Sequence, residues 1–139
     1  MSGNVIMRKG QGDRIELKAA AAITPGMLCE RTSANAVQKN SAAADVQPQK
    51  LFALENALNG GLITTDYAAD DQVQLNAVKP GDVVQGLIKI GVSLSIGDAV
   101  ESAGAGDLQA FTTAGAIIGF ALEAVTGGAA LVRCDIEIA

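Results

Sequence analysis

Val, Ile and Leu alternate with polar residues in short runs, and each run stops at Gly, Pro, Asn or Asp. RIELKA (14–19), MLCER (27–31), VQLNAV (73–78), DVVQGLIKIGVSL (82–94), AIIGFALEAV (116–125) and ALVRCDIEI (130–138) read as strands on this pattern. The last is the clearest, with Leu131, Arg133, Asp135 and Glu137 on one face and Val132, Cys134, Ile136 and Ile138 on the other. Between runs, TPGM (24–27), KPGD (79–82) and SIGD (95–98) put Gly26, Gly81 and Gly97 at the third position of a four-residue turn. Glycine there accepts the positive φ of a type II turn, and Pro presets the position before it in two of the three. Frequent turns between short strands predict a mainly β protein, a small sandwich or barrel. QKLFALENALNG (49–60) is ambiguous: it could form a short helix over 50–58 or a strand.

A repeat bears on that ambiguity. FALE occurs at 52–55 and at 120–123, each with a Gly-Gly pair downstream. Upstream, Gly26, Glu30 and Val37-Gln38 meet Gly97, Glu101 and Leu108-Gln109 at an offset of 71, and Phe52 meets Phe120 at 68. The chain therefore reads as two divergent copies of one unit, 23–78 and 94–138, the first carrying an extra LITTDYAADDQ (62–72). Ile117, Ile118, Val125 and the internal Gly119 make the second FALE a strand, which argues for a strand in the first. Phe52, Leu54, Phe120 and Leu122 are then the expected core anchors of the two copies. Residues 40–49 and 62–72 are expected loops.

Composition limits how such a fold is held. The 139 residues include no Trp, one Tyr, three Phe and 16 Gly, although 49% are apolar. Few large side chains mean little burial energy per residue, so an oligomer or a surface-bound protein is expected. One domain, residues 14–139, or two small fused halves, fits the length, preceded by an extended arm at 1–13. The net charge is −5, but residues 1–18 carry a balance of +2 and the remainder −7. An acidic body argues against nucleic-acid binding. The basic start is either a solvated tail or an arm docking on an acidic partner. Val5, Ile6 and Met7 could add a strand edge-on to that partner, with Arg8, Lys9 and Arg14 supplying charge. No run approaches the roughly 20 apolar residues of a membrane helix, and no apolar leader opens the chain, so synthesis and retention in the cytoplasm are expected. Cys29 and Cys134 lie in apolar runs and read as buried small hydrophobes.

Candidate chemistry is sparse. The chain has no His, which removes Ser-His-Asp, Cys-His and His-based metal arrangements. AGAG (103–106) has Gln109 where a dinucleotide fingerprint needs a third Gly, and reads as a hairpin turn. Asp66, Asp70 and Asp71 match no calcium-loop spacing, and Asp98 and Glu101 lack a partner acid. No catalysis, cofactor or metal is expected.

The segment GDAVESAGAGDLQAFTTAGAIIGFALEAVTGGAALVRCDIEI (97–138) resembles the decoration, or cement, proteins of tailed bacteriophages. The resemblance lies in the order of parts: G-D-x-V, a Gly-rich hairpin, I-G-x-A-L-E, a Gly-Gly turn and a final alternating strand. The first half follows that order more loosely, with Gly26-Met27 in place of G-D. It implies a small β-rich protein, a homotrimer or else a dimer, that binds major capsid protein on the outer surface of a mature icosahedral shell. There it would sit where capsomers meet and brace the shell against packaged DNA, with its arm along the capsid or a neighbouring copy. Two other readings compete. VKPGDVVQGLIKIG (78–91) has the turn pattern of biotinyl and lipoyl carrier domains, but Lys89 lies within an apolar run rather than at a hairpin tip. A sugar-binding β-sandwich module would need stacking rings, and Tyr67 alone is a poor platform.

Overall fold

A computed structural model describes residues 5–41, 49–56, 62–112 and 116–139, and no helix is found among them. Eleven strands follow in chain order: β1 (Met7–Lys9), β2 (Asp13–Ala19), β3 (Leu28–Ser33), β4 (Ala36–Lys39), β5 (Leu51–Ala53), β6 (Gln72–Ala77), β7 (Val83–Ile88), β8 (Ala99–Ser102), β9 (Leu108–Ala110), β10 (Gly119–Ala121) and β11 (Val132–Ile138). They form two five-stranded barrels. The first runs β2-β4-β3-β5-β6 and closes back on β2. The second runs β7-β11-β10-β8-β9 and closes through a parallel β7–β9 pairing, with β1 added beside β7.

The two barrels have one topology. β2–β4 is parallel, as is β7–β9, and each remaining pairing of the first barrel has an antiparallel counterpart in the second. Equivalence reaches individual bonds. Gly26 N donates to Ala53 O as Gly97 N donates to Ala121 O, and an Ile23–Tyr67 bridge matches a Leu94–Val125 bridge. Glu30 accepts from Gln38 Nε2 (2.6 Å), Ser41 N (2.9 Å) and Ser41 Oγ (2.8 Å). Glu101 accepts from Gln109 Nε2 (2.8 Å), Thr112 N (3.1 Å) and Thr112 Oγ1, every partner displaced by 71. In both barrels this carboxylate ties β3 or β8 to its hairpin partner and to the residue leaving that hairpin. The chain is thus a duplicated unit. It begins earlier than residues 23 and 94, because β2 and β7 are also equivalent and Gly10 and Gly81, both left-handed (φ 83° and 93°), stand before them.

The predicted turns form as expected. Gly26, Gly81 and Gly97 have φ of 95°, 93° and 90°, and Met27, Asp82 and Asp98 N donate to Thr24, Lys79 and Ser95 O. Asp82 and Asp98 add a carboxylate bond to the first N–H of their turn. In the first copy, which lacks that Asp, the Met27 sulfur takes its place 3.3 Å from Thr24 N.

Three strand readings need correction. DVVQGLIKIGVSL is not one strand: β7 ends at Ile88, and Lys89–Val92 is a fourth turn with Gly91 at φ 84°. Exposed Lys89 opens that turn rather than lying within a strand, and Ile90-Gly91 form its tip. AIIGFALEAV is a strand only over 119–121, since the chain bends at Leu122-Glu123 and returns to a single bridge at Val125. In 50–58, Leu51–Ala53 are strand, and 57 and 58 lie outside the described residues.

Each barrel has its own interior. The first is filled by ten buried residues, among them Leu17, Ile23, Cys29, Val37, Leu51, Tyr67 and Leu75. Tyr67 is fully buried, its hydroxyl bonded to the Leu54 and Glu55 carbonyls (2.8 and 3.0 Å), so it presents no ring to solvent. The second is filled by Val84, Ile88, Leu94, Val100, Leu108, Cys134 and Ile136, with others. Each barrel holds one thiol. Burial pushes Cys29 up to about 12 and Cys134 up to about 11.

Candidate functional site

Side chains alternate across a strand, so Leu51 and Ala53 point into the first barrel while Phe52 points out of it. Phe52 and Leu28, paired across β5 and β3, are nonetheless fully buried, in the same cluster as Val84, Ile88 and Ile136 of the second barrel. They sit where the second barrel is open. β7 and β9 share one residue pair, Ile88–Leu108, and diverge beyond it. The start of β3 lies along the gap: a Cβ on Gly26 would meet Gln85 O on the β7 side at 2.9 Å, and Leu28 N donates to Gly106 O in the β8–β9 turn (2.9 Å).

Polar groups complete this seam. Arg133 on β11 donates from Nη1 to Pro25 O (2.9 Å) and from Nη2 to Ile63 O (2.7 Å), holding two loops of the first barrel by their carbonyls. Burial lowers its pKa, although arginine stays charged at any ordinary pH. Gly26 is needed as glycine twice over, for its φ and because a Cβ would stand 2.7 Å from Arg133 Nη1. Asn40 Oδ1 accepts from Ser102 Oγ (3.2 Å), Gly106 N donates to Asn40 O (3.0 Å), and Lys50 Nζ donates to Ala139 O (3.0 Å). Sequence reasoning missed the seam, because nothing in the letters FALE or CDIEI says which outer face is covered.

The amino-terminal residues also belong to the body. Met7 and Lys9 pair with Val84 and Val83, with a register shift between them, and Ile6 O accepts from Gln85 N. Ile6 is fully buried with Leu54 and Ile63, its N–H donating to Glu55 Oε1 (3.3 Å). Arg8 Nε lies 3.4 Å from Asp135 Oδ1, both partly buried. The strand expected to add to a partner is therefore added to this chain's own β7. It fills the stretch of β7 that β9 does not reach, and it covers apolar Ile6 and Met7 in the process. Val5, Lys9 and Arg14 remain exposed; residues 1–4 lie outside the described residues.

The core anchors divide in the same way. Phe52 and Leu54 are buried, but Phe120 and Leu122 are 37% and 42% exposed. They occupy the outer face of the second barrel, the equivalent of the one Phe52 occupies, and among the described residues that face is left partly exposed. Asp66, Asp70 and Asp71 form no metal cluster among the described residues; Asp71 Oδ2 accepts from Ala68 N (2.9 Å) as a loop brace.

No protein-family model matches the chain, and no curated protein matches it at a significant level. Among solved structures, the N base of head fiber gp8.5 of bacteriophage phi29 is similar over 90% of this chain and 93% of that one, with a TM-score of 0.57 and 17% identity. The resemblance of residues 97–138 to phage decoration proteins is thus joined by a likeness in fold, across both barrels, to a phage head-fibre base.

Proposed function

We propose that this chain is a non-enzymatic structural protein of a tailed-phage virion, held on the outer surface of the mature capsid. It binds major capsid protein where capsomers meet, braces the shell against packaged DNA, and does so as a self-associating protein, a trimer in the simplest case. The observation that carries the reading is the tandem-barrel likeness to a head-fibre base, which spans nearly all of both chains. The sequence resemblance, reached independently from turn and strand order, points to the same place. Exposed Val5, Lys9 and Arg14 at one end of β7 and β2 are the contacts proposed to face the shell. Neither rival is favoured: Lys89 opens its turn and does not crown it, and Tyr67 is buried.

The test uses heads assembled from the cognate capsid protein, expanded and unexpanded, each sedimented with the purified chain. Binding to expanded heads alone, together with retention of DNA to higher temperature, is expected. A chain that sediments with neither form would overturn the capsid role.

A further inference from the structure

The second barrel leaves part of β7 unpaired by β9, and the chain fills that edge with β1. Met7 lies opposite Val84, and Gln85 N donates to Ile6 O (2.8 Å). The first barrel has the same edge. β2 and β4 share only Lys18–Ala36 and Ala19–Val37. Ala19–Val37 is the counterpart of Ile88–Leu108, which sets Ile15 and Glu16 over Val84 and Gln85. Lys18 N donates to Asn35 O on the β4 side. The direction of N–H and C=O alternates along a strand, so Arg14 and Glu16 turn theirs the same way. β4 does not extend that far, and no backbone bond among the described residues meets them there. Nothing like β1 covers this edge among the described residues.

The open edge is complementary to itself. Edges that are kept from pairing carry Pro, a bulge or lysines. β2 pairs with β6 from Asp13 to Lys18 without a shift, and its exposed outward charges alternate in sign as Arg14, Glu16 and Lys18. A two-fold axis through Ile15 sets Arg14 of each copy opposite Glu16 of the other. Both residues face the edge, so each such pair exchanges backbone N–H and C=O bonds and aligns opposite charges across the strands. Ile15, half-buried against the first core, then meets its own copy in the close, non-hydrogen-bonded position. Other registers fail. An axis at Arg14 or Glu16 sets like charges opposite one another, and an axis at Leu17 needs Lys18 N, which Asn35 O already holds. Neither Arg14 nor Glu16 belongs to an ion pair among the described residues, and Gln72 Nε2 props the Glu16 carboxylate on the outer face. The partner's Gly12 and Asp13 would lie beside a depression of about 220 Å³ whose lining includes Glu16, Leu17, Lys18 and Asn35.

We infer that two copies of this chain join antiparallel along β2, with Arg14 of each opposite Glu16 of the other, repeating between copies the strand addition that β1 makes on β7 within one. This rests on the self-association in the proposed function, and it gives Arg14 to the second copy, leaving Val5 and Lys9 to the shell. The contact is two-fold and closes on itself. It therefore joins its units in pairs, whether the unit is one chain or a trimer.

Charge reversal tests the register. Arg14→Glu or Glu16→Arg alone puts like charges opposite each other at both ends of the pairing, and association should weaken at least about 10-fold. By sedimentation each single variant should then show half the mass of the unmodified chain. Arg14→Glu combined with Glu16→Arg in one chain restores opposite charges and should restore the parent mass, as should an equal mixture of the two single variants. Both side chains are exposed, and circular dichroism with thermal melting checks that the fold is kept. Ile15→Cys gives a second reading. The axis brings Cα atoms at this position to about 4.5 Å, within reach of a disulfide, so mild oxidation should link two copies. Lys18→Cys, far from the axis, should not link, and Cys29 and Cys134 are buried. A monomeric unmodified chain, single reversals that keep the parent mass, a double reversal that stays apart, or linking through Lys18→Cys in place of Ile15→Cys overturns the inference. Binding to heads is scored separately. A chain that pairs in this way but sediments with no heads overturns the capsid role alone; one that sediments with heads while its single reversals keep the parent mass overturns the pairing alone.

Discussion

Phe52→Ala and Phe120→Ala separate burial from repeat position. The two rings occupy equivalent places in strand, pairing and barrel, so a reading from the repeat alone expects equal costs. Phe52 is 0% exposed and closes the gap between β7 and β9, packed with residues of both barrels. Truncation removes a whole buried ring and leaves a cavity that β3 and β5 cannot collapse into, because Leu28 N is bonded to Gly106 O and Ala53 is bonded to Gly26 and Met27. That places it at about 3–5 kcal/mol. Phe120, with more than a third of its surface in water, loses only part of its transfer energy, about 1 kcal/mol. For a chain of this size, roughly 3–5 °C of melting temperature goes with each kcal/mol. Phe52→Ala should therefore melt about 10–20 °C lower than the parent, and Phe120→Ala within about 5 °C. Urea unfolding at low protein concentration, where association between copies does not contribute, is the suitable assay. Equal losses at the two sites would refute the burial argument and return both rings to equivalent core positions.

Gly26→Ala should cost clearly more than Gly97→Ala, although both glycines have nearly the same φ. Both variants carry the left-handed strain of about 1 kcal/mol, but a Cβ on Gly26 would press against Arg133 and Gln85, while a Cβ on Gly97 would meet nothing within 4 Å. Urea midpoints of the two variants check this. Arg133→Met keeps the stem but strands the Pro25 and Ile63 carbonyls; a loss of about 1–3 kcal/mol by the same assay is expected, and an unchanged midpoint would remove the latch. Cys29 and Cys134 should resist a thiol reagent at pH 8 in the folded protein and react at once in denaturant, since burial holds them at about 12 and about 11. Their pKa values are raised on folding above the ordinary 9.0, so the native state keeps the protons longer. The contribution is whole below pH 9 and is lost as pH rises through 11 and 12; stability that rose over that range would contradict the assignment.

Turns were the most legible part of the sequence, because a Gly at the third position of TPGM, KPGD or SIGD has one economical backbone solution. Strands with a filled interior face, such as β2, β6 and β11, were legible from alternation. β4 and β9 were not, since AVQK and LQA offer one large apolar residue each, Val37 and Leu108, and owe their strand state to hairpin pairing. The repeat was read from residue 23, and its first strand was missed for a physical reason. β2 shows solvent Arg14, Glu16 and Lys18, whereas β7, covered on both faces, shows Val83, Gln85 and Leu87 at nearly the same places. Opposite surroundings go with different letters, while strand register and the leading glycine are shared. Phe120 was misplaced by the converse error: FALE is the same word in both copies, and only the partner barrel decides whether its aromatic ring meets protein or water.

The position of β1 bears on the order in which the molecule is made. Met7 and its partner Val84 lie 77 residues apart, and the whole first barrel is threaded between them. During synthesis that barrel is complete once Ala77 has emerged, while β1 must wait for a strand not yet translated. Contacts so distant in sequence form late and slowly. Severing the chain near Val78 would leave one fragment with an orphan strand and the other with a wall missing beside β7, so each of two like-built barrels needs the other's chain to be whole.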